Sequence, residues 1–469
     1  MRTTLKKGTM YLTVASGIFI FVGYLTNILL GRFLGPVDYG NYGVIVSLIS
    51  LVNIIQTSGL TQSVAKYIAQ DEQLADEILK SAFTLQLVVT GVITILFFLL
   101  APMLAALLND ESLTPYLQLA SASFPVYGMY ALYVDYANGR HFFKKQALLN
   151  SLYSVTKAIG VVSLGYLFHL KGVLWGFIIA PFFSLLIGFY YPRKTRFHFP
   201  YKKLILFSLP LIGYTLFSTL LQSIDLYFVK SLLSPEASGF YTASQSVARI
   251  LYFGTIAFSS VLLPSISHSV QQKLYTKTRE TIALALRIIL LIIAPITALI
   301  AATSKDVLLI LYSAAYIPAS SALSLLIVSF VFFTLFTLLS TILIAAGKPK
   351  IPFVLAGLGL CANALLCFLL IPQFFLSGAA IASLLSNAFV MILAAIALYH
   401  QCNYLFPQNR LYKIIGTSLL LFILAKMITV ELFLLPFLYL SFLSLYVIIL
   451  IVLKEITDED FSYLTRIKV

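Results

Sequence analysis

Three ionised side chains stand inside apolar runs. Lys157 lies near the middle of the run 146–168, Arg249 about ten residues into the run 240–266, and Asp225 a similar distance before the outer end of 204–232. A charge at the centre of a membrane-crossing helix costs roughly 2.5–3.5 kcal/mol on insertion, so such residues are functional candidates by default. Two of the three are cations, and their chemistry is anion binding. Arg offers a planar fork to phosphate oxygens and Lys a compact point charge. The reading is a central cavity whose cationic walls, Lys157 and Arg249, hold a diphosphate. Lys157 has no acidic partner evident in sequence. Counted outward from Pro235, Asp225 and Arg249 reach about the same depth, which leaves two roles open for Arg249: a structural pair with Asp225, or substrate binding.

Neutral amides accompany these charges inside the runs: Asn27, Asn53, Gln56, Gln222 and Gln245. Hydrogen bonding between helices is their ordinary role, and sugar hydroxyls suit the same groups. Arg32 and Asp38 flank the outer end of the first run, as interfacial anchors or an outer gate. Asp135 and Arg287 lie near cytoplasmic ends, where snorkelling accounts for them.

No catalytic constellation is present. His141, His169, His198, His268 and His400 are scattered, with no metal-ligand spacing. No glycine loop with a following Lys-Ser/Thr offers a nucleotide site. The expectation is a protein that is not an enzyme and uses no metal or cofactor. Cys361, Cys367 and Cys402 sit in or beside apolar runs and read as packing, not disulfides.

The elements that position these residues follow from composition. Of 469 residues, 60% are hydrophobic and 10% charged, against roughly 25% charged in a soluble chain. The chain is therefore an all-α, polytopic membrane protein. Its net charge of +14 sits in short loops, which excludes a nucleic-acid reading and fits membrane topology. Apolar runs give about fourteen spans: near 10–33, 41–65, 81–107, 114–138, 146–168, 172–191, 204–232, 240–266, 281–303, 321–346, 351–371, 378–400, 411–429 and 432–453. The first is a retained span, too long for a signal peptide. With the N-terminus inside, the inner segments hold 23 Lys and Arg and the outer ones 5: Arg32, Lys171, Lys230, Lys305 and Lys426. Both termini are expected in the cytoplasm and the chain in the plasma membrane.

The turn Leu34-Gly35-Pro36-Val37-Asp38-Tyr39-Gly40-Asn41-Tyr42 returns 199 positions later as Leu233-Ser234-Pro235-Glu236-Ala237-Ser238-Gly239-Phe240-Tyr241. A second echo, Ala137-Asn138-Gly139-Arg140 with Ala345-Ala346-Gly347-Lys348, has drifted to an offset of 208. The expected organisation is two six-helix bundles, 1–192 and 204–402, related by a parallel repeat. A basic linker (193–203) joins them, and two extra helices (403–453) and a cytoplasmic tail (454–469) follow.

These landmarks, in this order, together with Ala346-Gly347-Lys348-Pro349-Lys350, resemble the oligosaccharide and polysaccharide flippases of the multidrug/oligosaccharidyl-lipid/polysaccharide exporter superfamily. The resemblance covers essentially the whole chain. It implies translocation of a polyprenyl-diphosphate-linked oligosaccharide from the inner to the outer leaflet by alternating access. It also implies membrane lipids and glycan polymerases or glycosyltransferases as partners. A peptidoglycan-precursor flippase and a cation-coupled multidrug exporter are the transporter alternatives. The second needs deep carboxylates in the N-terminal half, where only Asp135 is found. A membrane polymerase or ligase would need catalytic outer loops, and these loops are short.

Overall fold

Apolar runs fold as helices because lipid offers no partner for the backbone, so each segment must satisfy its own N–H and C=O groups. The computed structural model describes residues 5–192, 199–252, 275–402, 408–428 and 431–455, and every regular element among them is helical. The basic residues 193–198, His268, the second half of the run 240–266 and most of the tail lie outside the described residues.

The chain divides into two compact units, Met1–Thr242 and Ala243–Val469. The first contains α1 (Leu5–Ile55), a π-turn (Gln56–Thr61), α2 (Gln62–Gln70), α3 (Ala75–Leu107), α4 (Thr114–Ser121), α5 (Ser123–Gly139), α6 (Phe143–Gly188), α7 (Tyr201–Leu221) and α8 (Ile224–Leu232). Helix α9 (Pro235–Ala248) crosses the boundary. The second unit contains α10 (Tyr275–Ala302), α11 (Ser304–Leu311), α12 (Ser320–Ala345), α13 (Lys350–Cys402), α14 (Gln408–Met427) and α15 (Leu435–Val452).

Seven helical stretches among the described residues are long and apolar enough to cross a membrane. Three of them contain a sharp break and supply two spans each. The first break is at Gly35 (φ 74°), immediately before Pro36, as glycine and proline dictate. The second is at Phe168 and His169 (φ 51°), the third at Phe375 (φ 51°). These fall between the spans expected at 10–33 and 41–65, 146–168 and 172–191, and 351–371 and 378–400.

The second and third breaks are built alike. Three residues after His169, a side chain at Gly172 would place its Cβ 1.8 Å from the carbonyl oxygen of Leu164. Three residues after Phe375, a side chain at Gly378 would stand 2.3 Å from that of Leu370. In both hairpins a glycine lets two antiparallel helices touch at the backbone. Leu164, His169 and Gly172 align with Leu370, Phe375 and Gly378 at an offset of 206, between the two offsets seen in sequence. This is a further mark of duplication.

Span seven differs from expectation. It breaks between Leu221 and Ile224, so Asp225 lies in the first turn of α8 instead of mid-span. There the positive end of the helix dipole favours a carboxylate.

Candidate functional site

Lys157 is held by aromatic faces. It lies on the first half of α6, half-buried, with Nζ 4.3 Å from the centre of the Phe177 ring and 5.9 Å from that of Tyr153. Phe177 is carried on the second half of the same helix, folded back by the break at His169. Tyr153 stacks on Tyr130 at 4.8 Å, and Tyr127 closes on both. Phe177 also meets Tyr42 at 6.4 Å, and the Tyr42 hydroxyl donates to Asn27 Oδ1 at 3.3 Å. Two expected site residues, Lys157 and Asn27, therefore border one aromatic cluster. Among the described residues no carboxylate lies within ion-pair distance of Lys157. Cation–π contact stabilises an ammonium by up to about 2 kcal/mol when it is desolvated, without cancelling its charge. The arrangement can receive an anion and stack a flat or apolar ligand face.

The expected residues of the second repeat divide into two groups. Asp225 is buried and accepts hydrogen bonds from the Leu226 amide at 2.8 Å and the Tyr241 hydroxyl at 2.7 Å. Tyr241 is the repeat mate of Tyr42, and each tyrosine reaches back to a polar residue on the preceding span. In the second unit, Arg249 Nη2 donates to Gln245 Oε1 at 3.3 Å. Gln222 Nε2 bonds its own helix at Ser218.

The duplicated turns are organised around residues not singled out from sequence. The duplicated turns pack on each other at their matching glycines. A Cβ at Gly40 would stand 2.2 Å from Ser238 Oγ, one at Gly239 would stand 1.9 Å from the Pro36 carbonyl oxygen, and one at Gly43 would stand 2.3 Å from Thr242 Oγ1. Beside this contact Lys230, 4% exposed, donates to Asn41 Oδ1 at 2.7 Å and Asp110 Oδ2 at 2.6 Å. Asn109 Nδ2 donates to the Ser231 carbonyl at 2.7 Å. Helix α8 is thereby latched to the turns after spans one and three. Arg32 is exposed, as an interfacial anchor would be, and Asp38 is half-buried near His169. The sequence signal for the latch was Lys230 itself, one of few cations in the outer segments.

Burial raises the pKa of Asp110, but hydrogen bonds from Lys230 and Ser112 outweigh it and hold the carboxyl below its ordinary value. A depressed carboxyl contributes stability that is complete above the unfolded value of about 3.9 and is lost as pH falls through the lower folded value. The difference in melting midpoint between the wild type and Asp110→Asn should stay constant from pH 5 to pH 8 and shrink only below about pH 4. A difference that shrinks between pH 5 and 7 would contradict this account of the latch.

Two further residues depart from expectation. Arg287 does not snorkel. It is 8% exposed and pairs through Nε with Glu455 Oε1 at 3.0 Å, with a second contact from Nη2 to the Glu455 carbonyl. A buried guanidinium stays in the core because a carboxylate and a carbonyl neutralise and saturate it. Asp135 does not snorkel either: its Oδ2 is 2.5 Å from Thr61 Oγ1, which is also 2.9 Å from the Thr57 carbonyl. Thr61 donates to both the carboxylate and its own helix, a three-centre arrangement that ties Asp135 to the π-turn.

Nearby, α3 and the π-turn bring Gln86 and Gln56 together over Gly128 of α5. Both glutamines are fully buried, and all four of their amide atoms lack hydrogen-bond partners, as does Asn53 Oδ1. Each such orphan costs about 1–3 kcal/mol. No group of His, Cys, Asp and Glu able to hold a metal occurs among the described residues.

Comparison with known proteins places this arrangement. A family model described as polysaccharide biosynthesis protein matches residues 5–270, and a second, MatE, matches 210–369. An uncharacterized membrane protein of Bacillus subtilis (strain 168), YabM, is 24% identical over 451 residues, covering 86% of this chain and 83% of that protein. Among solved structures, the lipid II flippase MurJ in an inward closed conformation superposes with a TM-score of 0.75 at 19% identity, over 94% of this chain and 98% of that one. An inward-facing multidrug resistance MATE transporter superposes with a TM-score of 0.73 at 14% identity, over 84% and 98%. The match over more than half of its length shows that the chain belongs to the polysaccharide biosynthesis protein family, among the membrane flippases and transporters of the multidrug/oligosaccharidyl-lipid/polysaccharide exporter superfamily.

Proposed function

We propose that the protein moves a lipid-linked oligosaccharide, carried on a polyprenyl diphosphate, from the inner to the outer leaflet of the plasma membrane. The observation that carries this reading is Lys157: a cation inside the membrane over the rings of Phe177 and Tyr153, in a cluster that Tyr42 and Asn27 extend, with no carboxylate beside it among the described residues. Ammonium suits the diphosphate, and aromatic faces and an amide suit sugar rings and hydroxyls. An apolar cavity of about 910 Å³ in the second unit, lined by Leu290, Val328, Phe332, Ile396, Leu419 and Phe422 among others, has the chemistry an isoprenoid chain requires.

Both termini are cytoplasmic, so the sugar head enters from the side where glycosyltransferases assemble it and leaves toward a glycan polymerase. Alternating access between bundles 1–192 and 204–402, with Arg249 and Gln245 contributing from the second, carries the head across.

Purified protein in proteoliposomes provides the test, loaded on one side with a polyprenyl-diphosphate oligosaccharide or with lipid II and assayed by accessibility of the sugar to an impermeant glycosidase or lectin. The oligosaccharide lipid should cross, unaltered in covalent structure, faster than in protein-free vesicles. Movement of lipid II alone would move the protein to peptidoglycan-precursor transport. Extension or ligation of the glycan would make it an enzyme and overturn the reading.

A further inference from the structure

The buried amides of Gln56 and Gln86 are used by nothing described so far. They belong to three packed elements: the π-turn that interrupts the second span, helix α3, and Gly128 of α5. A Cβ at Gly128 would lie 2.7 Å from Gln86 Nε2 and 2.9 Å from Gln56 Oε1. The two amide groups are therefore within about 5.6 Å of each other, yet no hydrogen bond joins them, and neither amide bonds anything else. Asn53 stands one turn back from Gln56, and its Oδ1 is likewise buried without a partner.

We propose that Gln56, Gln86 and Asn53 form a buried binding site for ordered water. Three arguments select that ligand. A donor and an acceptor no more than about 5.6 Å apart that do not bond each other lie within reach of one bridging water. Each glutamine has both an acceptor oxygen and an NH₂ donor to satisfy, and water does both. A dehydrated metal cation would take the oxygens and leave both NH₂ groups orphaned. Exposure of both side chains is 0%, which excludes a sugar from the site in this conformation but not a water.

The site explains the position of the π-turn. π-turns occur mostly at functional places because they re-aim a side chain at the expense of regular hydrogen bonding. Here the turn begins at Gln56, at the water site, and ends at Thr61, on Asp135. Polar contacts thus define both of its ends. The inference is independent of the substrate proposed above.

The test is a melting cycle on the full-length protein in detergent, with Gln56→Met, Gln86→Met and the double variant, in sodium chloride and in choline chloride. Each single variant should lower the midpoint by about 1–3 °C, because it leaves the other amide and its water incompletely bonded. The double variant should lose less than the sum, and the salt should not matter. A single variant that melts higher than wild type would show that the amides are dry, and strictly additive losses would show that nothing joins them. Stabilisation of the wild type by sodium chloride that both variants abolish would make this a cation site. Each of these outcomes overturns the proposal. A map of the wild type at about 2 Å resolution should show water density between the two amides, and a site without it would overturn the inference even if the variants fail to fold.

Discussion

Lys230→Met is expected to lower the melting midpoint sharply and to impair transport, whereas Lys230→Met combined with Asp110→Leu should recover much of the loss in stability. The side chain of Lys230 is 2% exposed and that of Asp110 21%. Removing one partner of such a pair strands the other. Asp110 loses its cation, and Asn41, 6% exposed, loses the donor to its amide oxygen. Breaking a buried pair costs about 3–5 kcal/mol, and the lower end applies here because Asp110 keeps some contact with water. Removing both partners costs much less, since no unpaired charge remains. The measurement is a double-mutant cycle in melting midpoint with transport followed in parallel. Additive effects of the two substitutions would show that Lys230 and Asp110 do not act as a latch. Full transport in a destabilised single variant would separate the latch from the transport cycle.

The second large effect is expected at Lys157. Lys157→Ala should reduce transport at least tenfold while the protein remains folded and inserted, since among the described residues the lysine makes no ion pair whose loss would strand a carboxylate. Lys157→Arg should retain a substantial part, because the charge stays and a guanidinium stacks on the same rings. A diphosphate head with about two negative charges gains roughly 2.3 kcal/mol per charge per 100 mV on moving outward across an inside-negative membrane. For the proposed substrate the potential is expected to drive export, with Lys157 lowering the cost of taking the head out of water. Proteoliposomes with and without a potassium–valinomycin potential measure both effects. Unchanged transport in Lys157→Ala would remove the residue from the site. Wild-type transport that ignores the potential would remove the electrical driving force and leave the assignment of Lys157 intact.

The sequence by itself determined the membrane class, the helical architecture and the three breaks that separate paired spans, though not the break in span seven or the π-turn. These are local properties: an apolar run must satisfy its backbone internally, and Gly35-Pro36 must end a helix wherever it stands. It also determined that Lys157 is exceptional, because an intramembrane charge is costly in any fold, and it exposed the duplication through the paired turns. Only the tertiary structure decided what those residues touch. Asp135 and Arg287 looked able to snorkel because each lies near a span end. Thr61 and Glu455, 74 and 168 residues away in sequence, hold them inside instead. Lys230 read as one outer cation among several until the turns carrying Asn41 and Asp110 closed on it. Gln86 carried no signal at all, since an amide in an apolar helix is ordinary until a neighbouring helix offers a glycine and a second amide at the same depth. The breaks at His169 and Phe375 show the same division. Spacing placed them, but only the backbone contacts of Gly172 with Leu164 and of Gly378 with Leu370 reveal that they are two copies of one hairpin. Hydrophobic periodicity reports which segments enter the membrane. Which polar groups meet there depends on helix rotation and depth, and packing between helices sets both.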